Sequence, residues 1–254
     1  MERLEFLEMP SGQKIAYKKS NGRGPTLIWC GGLKSDMEGG KAVHLHTWAQ
    51  ARAQAFIRFD YYGHGESSGV FTDGTLSQWS ADITAIIDAF CEGDVILIGS
   101  SMGGWASLLA AIDSPARVAG MVLINPAPDF TEKLTAANWT EAQIKALEDD
   151  GIVYEPSGYD EPYAYSKSLI EDGRARQILD APIRLSCPVH ILSGSEDPVV
   201  PTAYVARLLD VLDTLGTAQG HVHFTKVTGG DHSLSRPEDL ALIEAALMKI
   251  IDKA

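Results

Sequence analysis

The chain has 254 residues, of which 45% are hydrophobic and 22% are charged, a composition typical of a globular protein with a sizeable core. Its 34 acidic residues outnumber its 21 basic residues and give a formal net charge of −13. This acidity argues against a nucleic-acid partner, which needs a basic surface stripe, and against attraction to anionic lipid.

Neither a targeting signal nor a disulfide is predicted. The start, Met1–Glu5, lacks the basic region and apolar stretch of a signal peptide, and no apolar segment is long enough to span a bilayer. Cys30, Cys91 and Cys187 are odd in number and widely spaced, which favours buried, unpaired thiols. We therefore expect a protein of the reducing cytoplasm.

Strand-like and helical patterns alternate along most of the chain. The first half is predicted to contain a hairpin, Leu4–Met9 with Lys14–Lys18, followed by strands at Thr26–Cys30, Ala55–Asp60, Val95–Ile98 and Val118–Ile124. Helices are predicted at Lys41–Arg52 and around Trp79–Phe90. A third helix is predicted after the strand Val95–Ile98, with Trp105, Leu108, Leu109 and Ile112 on one apolar face. The last part contains strands at Val189–Leu192 and Val222–Val227 and helices at Tyr204–Leu212 and Leu240–Ile251. Such alternation predicts a mostly parallel sheet with helices on both faces.

The alternation is interrupted between residues 128 and 186. This segment is rich in acids, tyrosines and prolines and contains only short helical patterns, such as Thr140–Asp149. Open α/β sheets bind ligands at the carboxyl ends of their strands. We therefore expect one domain over residues 1–254, with residues 128–186 forming a small cap inserted over that edge.

The strongest motif is Gly99-Ser100-Ser101-Met102-Gly103, which matches G-x-S-x-G between a buried strand and a helix. The glycines allow a sharp turn that exposes the serine oxygen near a helix N-terminus, where negative charge is favoured. A glycine- and serine-rich turn that only begins a helix is the alternative. Ser100 is the neighbouring candidate, but only Ser101 has the required glycine spacing, so we predict Ser101 as a nucleophile.

A serine nucleophile needs a base to accept its proton. His232 lies in a glycine-rich loop after the last predicted strand, which can bring an imidazole over the sheet edge. The other histidines are predicted on strands (His190, His221 and His223), on a helix (His44 and His46) or in another loop near the same edge (His64). We predict His232 as the base, with His64 as the competing candidate and a surface loop histidine as the non-catalytic alternative.

The acid that orients the imidazole should follow a strand and precede the histidine in the chain. Asp197, just before Pro198, has this position. Its neighbour Glu196 and the loop residue Asp231 are alternatives. A turn-forming role for Asp197 would need no catalysis.

Acyl transfer also needs two fixed N–H donors for the negative oxygen of the intermediate. The backbone N–H of Met102 follows the nucleophile directly. The second donor is predicted in the loop Cys30-Gly31-Gly32-Leu33, with the N–H of Leu33 as the candidate. An ordinary glycine turn is the alternative interpretation of this loop.

Together these residues resemble the α/β-hydrolase family, including its loop after the fourth strand at residues 60–67. A closer resemblance is to the acyl-glucuronide esterase and palmitoyl-protein thioesterase group of animal mitochondria and bacteria. It is carried by residues 37–42, 57–61 and 99–105. The animal members carry a transit peptide, whereas this chain starts at the domain, as we expect of a bacterial member.

The resemblance implies the α/β-hydrolase fold and the hydrolysis of a small-molecule ester or acyl thioester through an acyl-enzyme, with no metal or organic cofactor. The family triad falls on Ser101, Asp197 and His232. Carbon–carbon bond hydrolysis or acyl transfer on the same fold remains an alternative. A non-catalytic receptor is a third hypothesis, against which the three retained triad positions count. Acyl-chain length, leaving group and oligomeric state stay open.

Overall fold

The computed structural model describes residues 3–157, 161–214 and 222–254, so His221 lies outside the described residues. The strands are β1 (Glu5–Glu8), β2 (Lys14–Ser20), β3 (Arg23–Cys30), β4 (Gln54–Phe59), β5 (Val95–Ser100), β6 (Val118–Ile124), β7 (Ile152–Glu155), β8 (Tyr163–Ser166), β9 (Ile183–Leu185), β10 (Val189–Gly194), β11 (Leu212–Thr214) and β12 (Val222–Val227). The helices are α1 (Gly40–Ala51), α2 (Leu76–Phe90), α3 (Met102–Asp113), α4 (Glu141–Asp150), α5 (Lys167–Ala175), α6 (Thr202–Val211) and α7 (Pro237–Ile251). Among the described residues, no helix combines the length and the apolar character that crossing a bilayer requires.

Eight strands form one sheet in the order β1-β2-β4-β3-β5-β6-β10-β12. Only β2 runs antiparallel to its neighbours, and all other pairs are parallel. The predicted mostly parallel sheet is therefore confirmed. Because parallel strands share one direction, the carboxyl ends of β3, β5, β6, β10 and β12 meet at the same edge.

The core lies on both faces of this sheet, as the side-chain alternation of strand β3 shows. Leu27 and Trp29 point to the face covered by α1 and α7. Ile28 and Cys30 point to the opposite face, which α2 and α3 cover. Because both faces of the sheet are buried, the central strands consist of nearly continuous apolar residues and do not alternate between apolar and polar side chains.

The structure departs from the sequence predictions in three places. Ile112 is 37% exposed, so the apolar stripe of α3 is narrower than its spacing suggests. Helix α6 ends at Val211, because Leu212 begins strand β11, which pairs with β9. The segment between β6 and β10 contains the antiparallel pair β7–β8 as well as helices. That pair follows Gly151, whose φ of 76° ends α4 and redirects the chain.

Two of the stretches that resemble the hydrolase group hold each other through buried polar contacts. Asp60 accepts the N–H of Met37 on Oδ1 at 2.6 Å and the N–H of Glu66 on Oδ2 at 2.9 Å. Arg58 Nη1 donates to the carbonyl oxygen of Met37 at 2.5 Å. The backbone before α1 is therefore fixed to the end of β4.

His64 sits in the loop after β4 as a buried, neutral histidine. Its ring lies among those of Tyr61, Phe71 and Trp79 and is 4% exposed. Its Nε2 accepts the N–H of Lys34 at 3.2 Å, while Nδ1 donates to the carbonyl of Tyr62 at 3.1 Å. Burial lowers the pKa of His64 to about 4. His64 thus supports the loop after β3.

Replacing Gly103 tests how tightly α3 packs on the loop after β3. A methyl group at Gly103 would overlap the carbonyl oxygens of Cys30 and Gly31. We expect Gly103→Ala to lower the free energy of unfolding by about 3 kcal/mol. Gly93→Ala is the matched control, because a methyl group there meets no atom within 4 Å. Urea denaturation of the wild type and the two variants would measure the free energies of unfolding. Equal stabilities of Gly103→Ala and Gly93→Ala would contradict the close packing of α3 on the loop after β3.

His64 should make stability depend on pH. The unfolded chain binds a proton at His64 near pH 6.5, whereas the folded chain binds it only near pH 4. As the pH falls from 6.5 towards 4, His64 therefore reduces the free energy of unfolding by up to about 3 kcal/mol.

We expect His64→Gln to remove that loss. Urea denaturation of both proteins at steps between pH 7 and 4 measures their free energies of unfolding. As the pH falls, the wild type should lose more of this free energy than the variant. Asp60 and Asp82, whose pKa values burial raises to about 6, are present in both proteins and cancel in the difference. A difference that is constant with pH would contradict the neutral, buried His64.

Candidate active site

The loops that carry the predicted site residues leave one edge of the sheet side by side. Cys30 is paired with Gly99, and Ser100 with Ile124. Farther along the sheet, Gly194 is paired with Val227. These strand ends lead into the glycine loop, the serine turn, and the loops that carry the acid and the histidine.

Ser101 occupies the turn between β5 and α3 in an unusual backbone conformation. Its φ is 52° and its ψ is −119°, a region that non-glycine residues rarely adopt. Its N–H donates to the carbonyl oxygen of Ile124 at 2.9 Å, which anchors the turn to β6. The turn places the serine oxygen at the N-terminus of α3, where unsatisfied N–H groups favour negative charge.

His232 contacts Ser101 with one ring nitrogen and Asp197 with the other. The distance from His232 Nε2 to Ser101 Oγ is 3.1 Å, and from His232 Nδ1 to Asp197 Oδ2 it is 2.7 Å. A carboxylate only accepts, so Nδ1–H donates to Asp197. Nε2 then presents its lone pair to the Ser101 hydroxyl. This is the arrangement in which an imidazole can take the proton of a serine.

The side chain of Asp197 is fully buried, whereas that of His232 is 29% exposed. Asp197 Oδ1 accepts the N–H groups of Val199 and Val200 at 2.8 and 2.9 Å. The turn-forming role considered as an alternative is therefore real. It leaves Oδ2 for the histidine, so Asp197 does both.

The competing candidates make other contacts. Glu196 is exposed, and Asp231 bonds the nearby N–H groups of Ser233 and Leu234 through Oδ1. His64 Nε2 faces the Lys34 N–H. The structure thus joins Ser101, His232 and Asp197 by hydrogen bonds, and these alternatives are not part of that chain of hydrogen bonds.

The loop after β3 lies directly beside Ser101. A methyl group built on Gly32 would be 3.5 Å from Ser101 Cβ. Ser35 Oγ donates to the carbonyl of Gly32 at 2.8 Å, and Lys34 is bonded to His64, so the loop is fixed on both sides of Leu33. In the described part of the chain, no group accepts a hydrogen bond from the Leu33 N–H. Met102 begins α3, so its N–H is one of those without a partner inside the helix.

The described cysteines are not nucleophile candidates. Cys30, Cys91 and Cys187 are all buried and unpaired, as the sequence indicated. Burial raises the pKa of Cys30 to about 12 and that of Cys187 to about 11. At neutral pH these groups are thiols, and only the thiolate is a strong nucleophile.

Sequence reasoning missed two residues that hold the histidine loop. Asn125, completely buried after β6, donates to the carbonyl oxygens of Asp231 and His232 at 3.0 Å each. Lys41 Nζ donates to the carbonyl oxygen of Ser233. A polar residue directly after a buried strand was a usable signal for Asn125. Lys41 carried none beyond its place in the shared stretch 37–42.

Comparisons with known proteins agree with this architecture. The sequence model of the alpha/beta hydrolase family matches residues 31–242. The mitochondrial palmitoyl-protein thioesterase ABHD10 of Rattus norvegicus is 34% identical over 252 residues, which cover 98% of this chain and 83% of that protein.

Two solved structures are similar over almost the whole chain. One is a protein of Agrobacterium vitis S4, with 38% identity, a TM-score of 0.91 and coverage of 99% of this chain and 98% of that one. The other is mouse alpha/beta hydrolase domain-containing protein 10, with 32% identity, a TM-score of 0.88 and coverage of 99% of both chains. The match of the family model over most of the chain, together with these relatives, establishes that the chain is a hydrolase of the alpha/beta hydrolase family.

Proposed function

We propose that this protein hydrolyses carboxylic esters or thioesters through an acyl-enzyme formed on Ser101. The observation that carries the proposal is the continuous chain of hydrogen bonds from Ser101 Oγ through His232 to Asp197, at 3.1 and 2.7 Å. The thioesterase named among the relatives supports the same substrate class. Carbon–carbon bond hydrolysis and acyl transfer are the alternatives, which a panel of acyl esters and thioesters distinguishes from ester or thioester hydrolysis.

Acylation begins when Ser101 Oγ attacks the acyl carbonyl carbon and its proton passes to His232 Nε2. The carbonyl π-electrons move to oxygen and form a tetrahedral oxyanion. Collapse of that intermediate breaks the bond to the leaving oxygen or sulfur, which takes the proton from His232 and departs as an alcohol or thiol. Water then repeats the sequence on the acyl-serine and releases the carboxylic acid and free Ser101.

Asp197 fixes the ring of His232 and stabilises the imidazolium that forms in each half of the reaction. Its own two N–H donors, from Val199 and Val200, keep the carboxylate aligned with the ring. Without this acceptor, the ring could turn and present N–H instead of a lone pair to Ser101.

The backbone N–H groups of Leu33 and Met102 are the proposed donors to the oxyanion. The lack of a protein acceptor for the Leu33 N–H and the fixed loop around it support this role. Backbone donors of this kind need no reorganisation during the reaction, which makes them effective for a charge that appears only transiently.

Residues 128–186 are proposed to form a cap that selects the acyl group or the leaving group. Lys34, next to the proposed oxyanion donor, forms an ion pair with Glu161 at 3.2 Å and also donates to the carbonyl of Pro162. Asp129 at one end of the segment accepts the N–H groups of Ile178 and Leu179 near its other end. These contacts support a compact insertion beside Ser101.

The cytoplasm remains the proposed location. The three unpaired cysteines support a reducing compartment. The first relatives are mitochondrial by name, and the mitochondrial matrix is also reducing, so the thiols do not separate the two compartments.

Labelling with a fluorophosphonate tests the nucleophile. We expect rapid stoichiometric labelling of the wild type and none of Ser101→Ala, because Ser101 Oγ lies 3.1 Å from His232 Nε2, whose other ring nitrogen is held by Asp197. Ser100→Ala is the matched control and should retain labelling. Equal labelling of wild type and Ser101→Ala would exclude Ser101. A panel of acyl esters and thioesters of matched chain length then tests the reaction, and labelling without turnover of any member would favour the alternative reactions.

Kinetics of paired variants test the acid and the base. We expect Asp197→Asn to lower kcat by about 10⁴-fold, because the amide stabilises the wrong tautomer of His232. Glu196, the exposed neighbour of Asp197, provides the control, and the kcat of Glu196→Gln should stay within about twofold of the wild-type value. His232→Gln should abolish turnover, whereas His64→Gln should retain it in part. Reversal of either pair would overturn the assignment of that residue.

A further inference from the structure

Asn125 lies at the centre of the sheet edge where the candidate site is assembled. It directly follows β6, the strand between β5, which leads to Ser101, and β10, which leads to Asp197. It is completely buried and has a φ of 42°, in the left-handed region that non-glycine residues seldom adopt. A buried, strained polar residue at this place calls for a physical explanation.

The side-chain amide of Asn125 uses its donors and its acceptor on two different loops. Nδ2 donates to the carbonyl oxygens of Asp231 and His232, both at 3.0 Å. Oδ1 accepts the N–H of Gly194, at the end of β10, at 2.8 Å. One side chain therefore joins the backbone of the base loop to the strand that leads to Asp197.

The two loops also contact each other directly at this point. A methyl group on Gly194 would overlap the carbonyl oxygens of Gly230 and Asp231. The N–H of Glu196 donates to the carbonyl of Gly230 at 2.9 Å. Because the loops are in close contact, a small shift of one of them moves both the acid and the base.

The backbone beside Asn125 reaches the nucleophile as well. Ile124 accepts the N–H of Ser101 at 2.9 Å, and the N–H of Ala127 donates to the carbonyl of Ser101 at 3.1 Å. Residues 124–127 thus form hydrogen bonds with the main chain of Ser101, of His232 and of Gly194, which lies three residues before Asp197. These four residues therefore contact several parts of the candidate site that are far apart in sequence.

We propose that Asn125 is a positioning residue that sets His232 and Asp197 at their working distances from Ser101. The proposal rests on the proposed function, since it assigns Asn125 to the same triad. Only an amide supplies two N–H donors and an oxygen acceptor in this volume. A carboxylate here would face two carbonyl oxygens without a hydrogen to donate. The alternative is that Asn125 only satisfies buried backbone groups and stabilises the fold.

Two variants separate these roles. Asn125→Asp keeps the shape and removes both donors. Asn125→Gly removes the amide and, because glycine adopts positive φ freely, adds no backbone strain. The matched control is Gln54→Glu, since Gln54 is also a buried amide, and its Nε2 donates to the carbonyl of Pro25 at 2.6 Å at the opposite end of the sheet.

The kinetic measurement uses the fluorophosphonate labelling rate and, with a p-nitrophenyl ester, kcat and KM. Misplacement of reacting groups by about 1 Å can cost about 100-fold in rate. We expect both Asn125 variants to lose about that factor in labelling rate and in kcat, with KM changed less than threefold. Gln54→Glu should lose stability and keep both rates within twofold at a temperature where all the proteins are folded.

The second measurement is independent of turnover. Nitrogen-15 NMR of histidine-labelled protein reports which ring nitrogen of His232 carries hydrogen, and we expect the Nδ1–H form in wild type and a mixture of tautomers in both Asn125 variants. Wild-type rates and an unchanged tautomer in folded Asn125→Gly would overturn the proposal. If wild-type protein is neither labelled nor active while the tautomer shift is seen, the proposed function fails and the positioning role stands.

Discussion

The candidate site depends on the parallel register of β3, β5, β6, β10 and β12. Their shared direction brings five chain turns to one edge. Ser101 and His232 are 131 positions apart in sequence, yet their side chains lie within hydrogen-bonding distance. A change of register in any of these pairs would move a whole loop and separate the groups, so the apolar pairing deep in the sheet controls polar geometry at its surface.

Backbone strain is concentrated at this edge. Ser101, Lys34, Asn125 and Leu234 all have positive φ values, which cost roughly 1–3 kcal/mol each for residues other than glycine. Each is held by surrounding contacts: Ser101 by Ile124, Lys34 by His64, Asn125 by the two loops it joins, and Leu234 by Asp231. The hydrophobic packing on both faces of the sheet offsets this cost, and the result is a set of polar groups fixed before any ligand arrives.

The stretches that resemble the hydrolase group have structural reasons as well as chemical ones. Residues 57–61 and 37–42 are joined through Met37, which Arg58 and Asp60 hold by its carbonyl and its N–H. Lys41, four residues farther on, donates to the Ser233 carbonyl beside His232. The stretches that carry the resemblance are separate in the sequence, but these contacts connect them to each other and to the loop of His232.

The sequence by itself determined the order and type of the eight strands of the main sheet and of most helices, because apolar periodicity reports burial directly and the buried strands are long apolar runs. It also singled out Ser101, Asp197 and His232, because the serine turn is a local pattern and its two partners follow it in the expected chain order. Only the tertiary structure decided that Ile112 is exposed, that β7 and β8 pair, and that Asp197 forms a turn and contacts His232 at once. The contacts of Asn125 could not be seen in the sequence for the same reason. Its three partners lie 69, 106 and 107 positions away, and a contact of that range exists only once the sheet has brought the strand ends together.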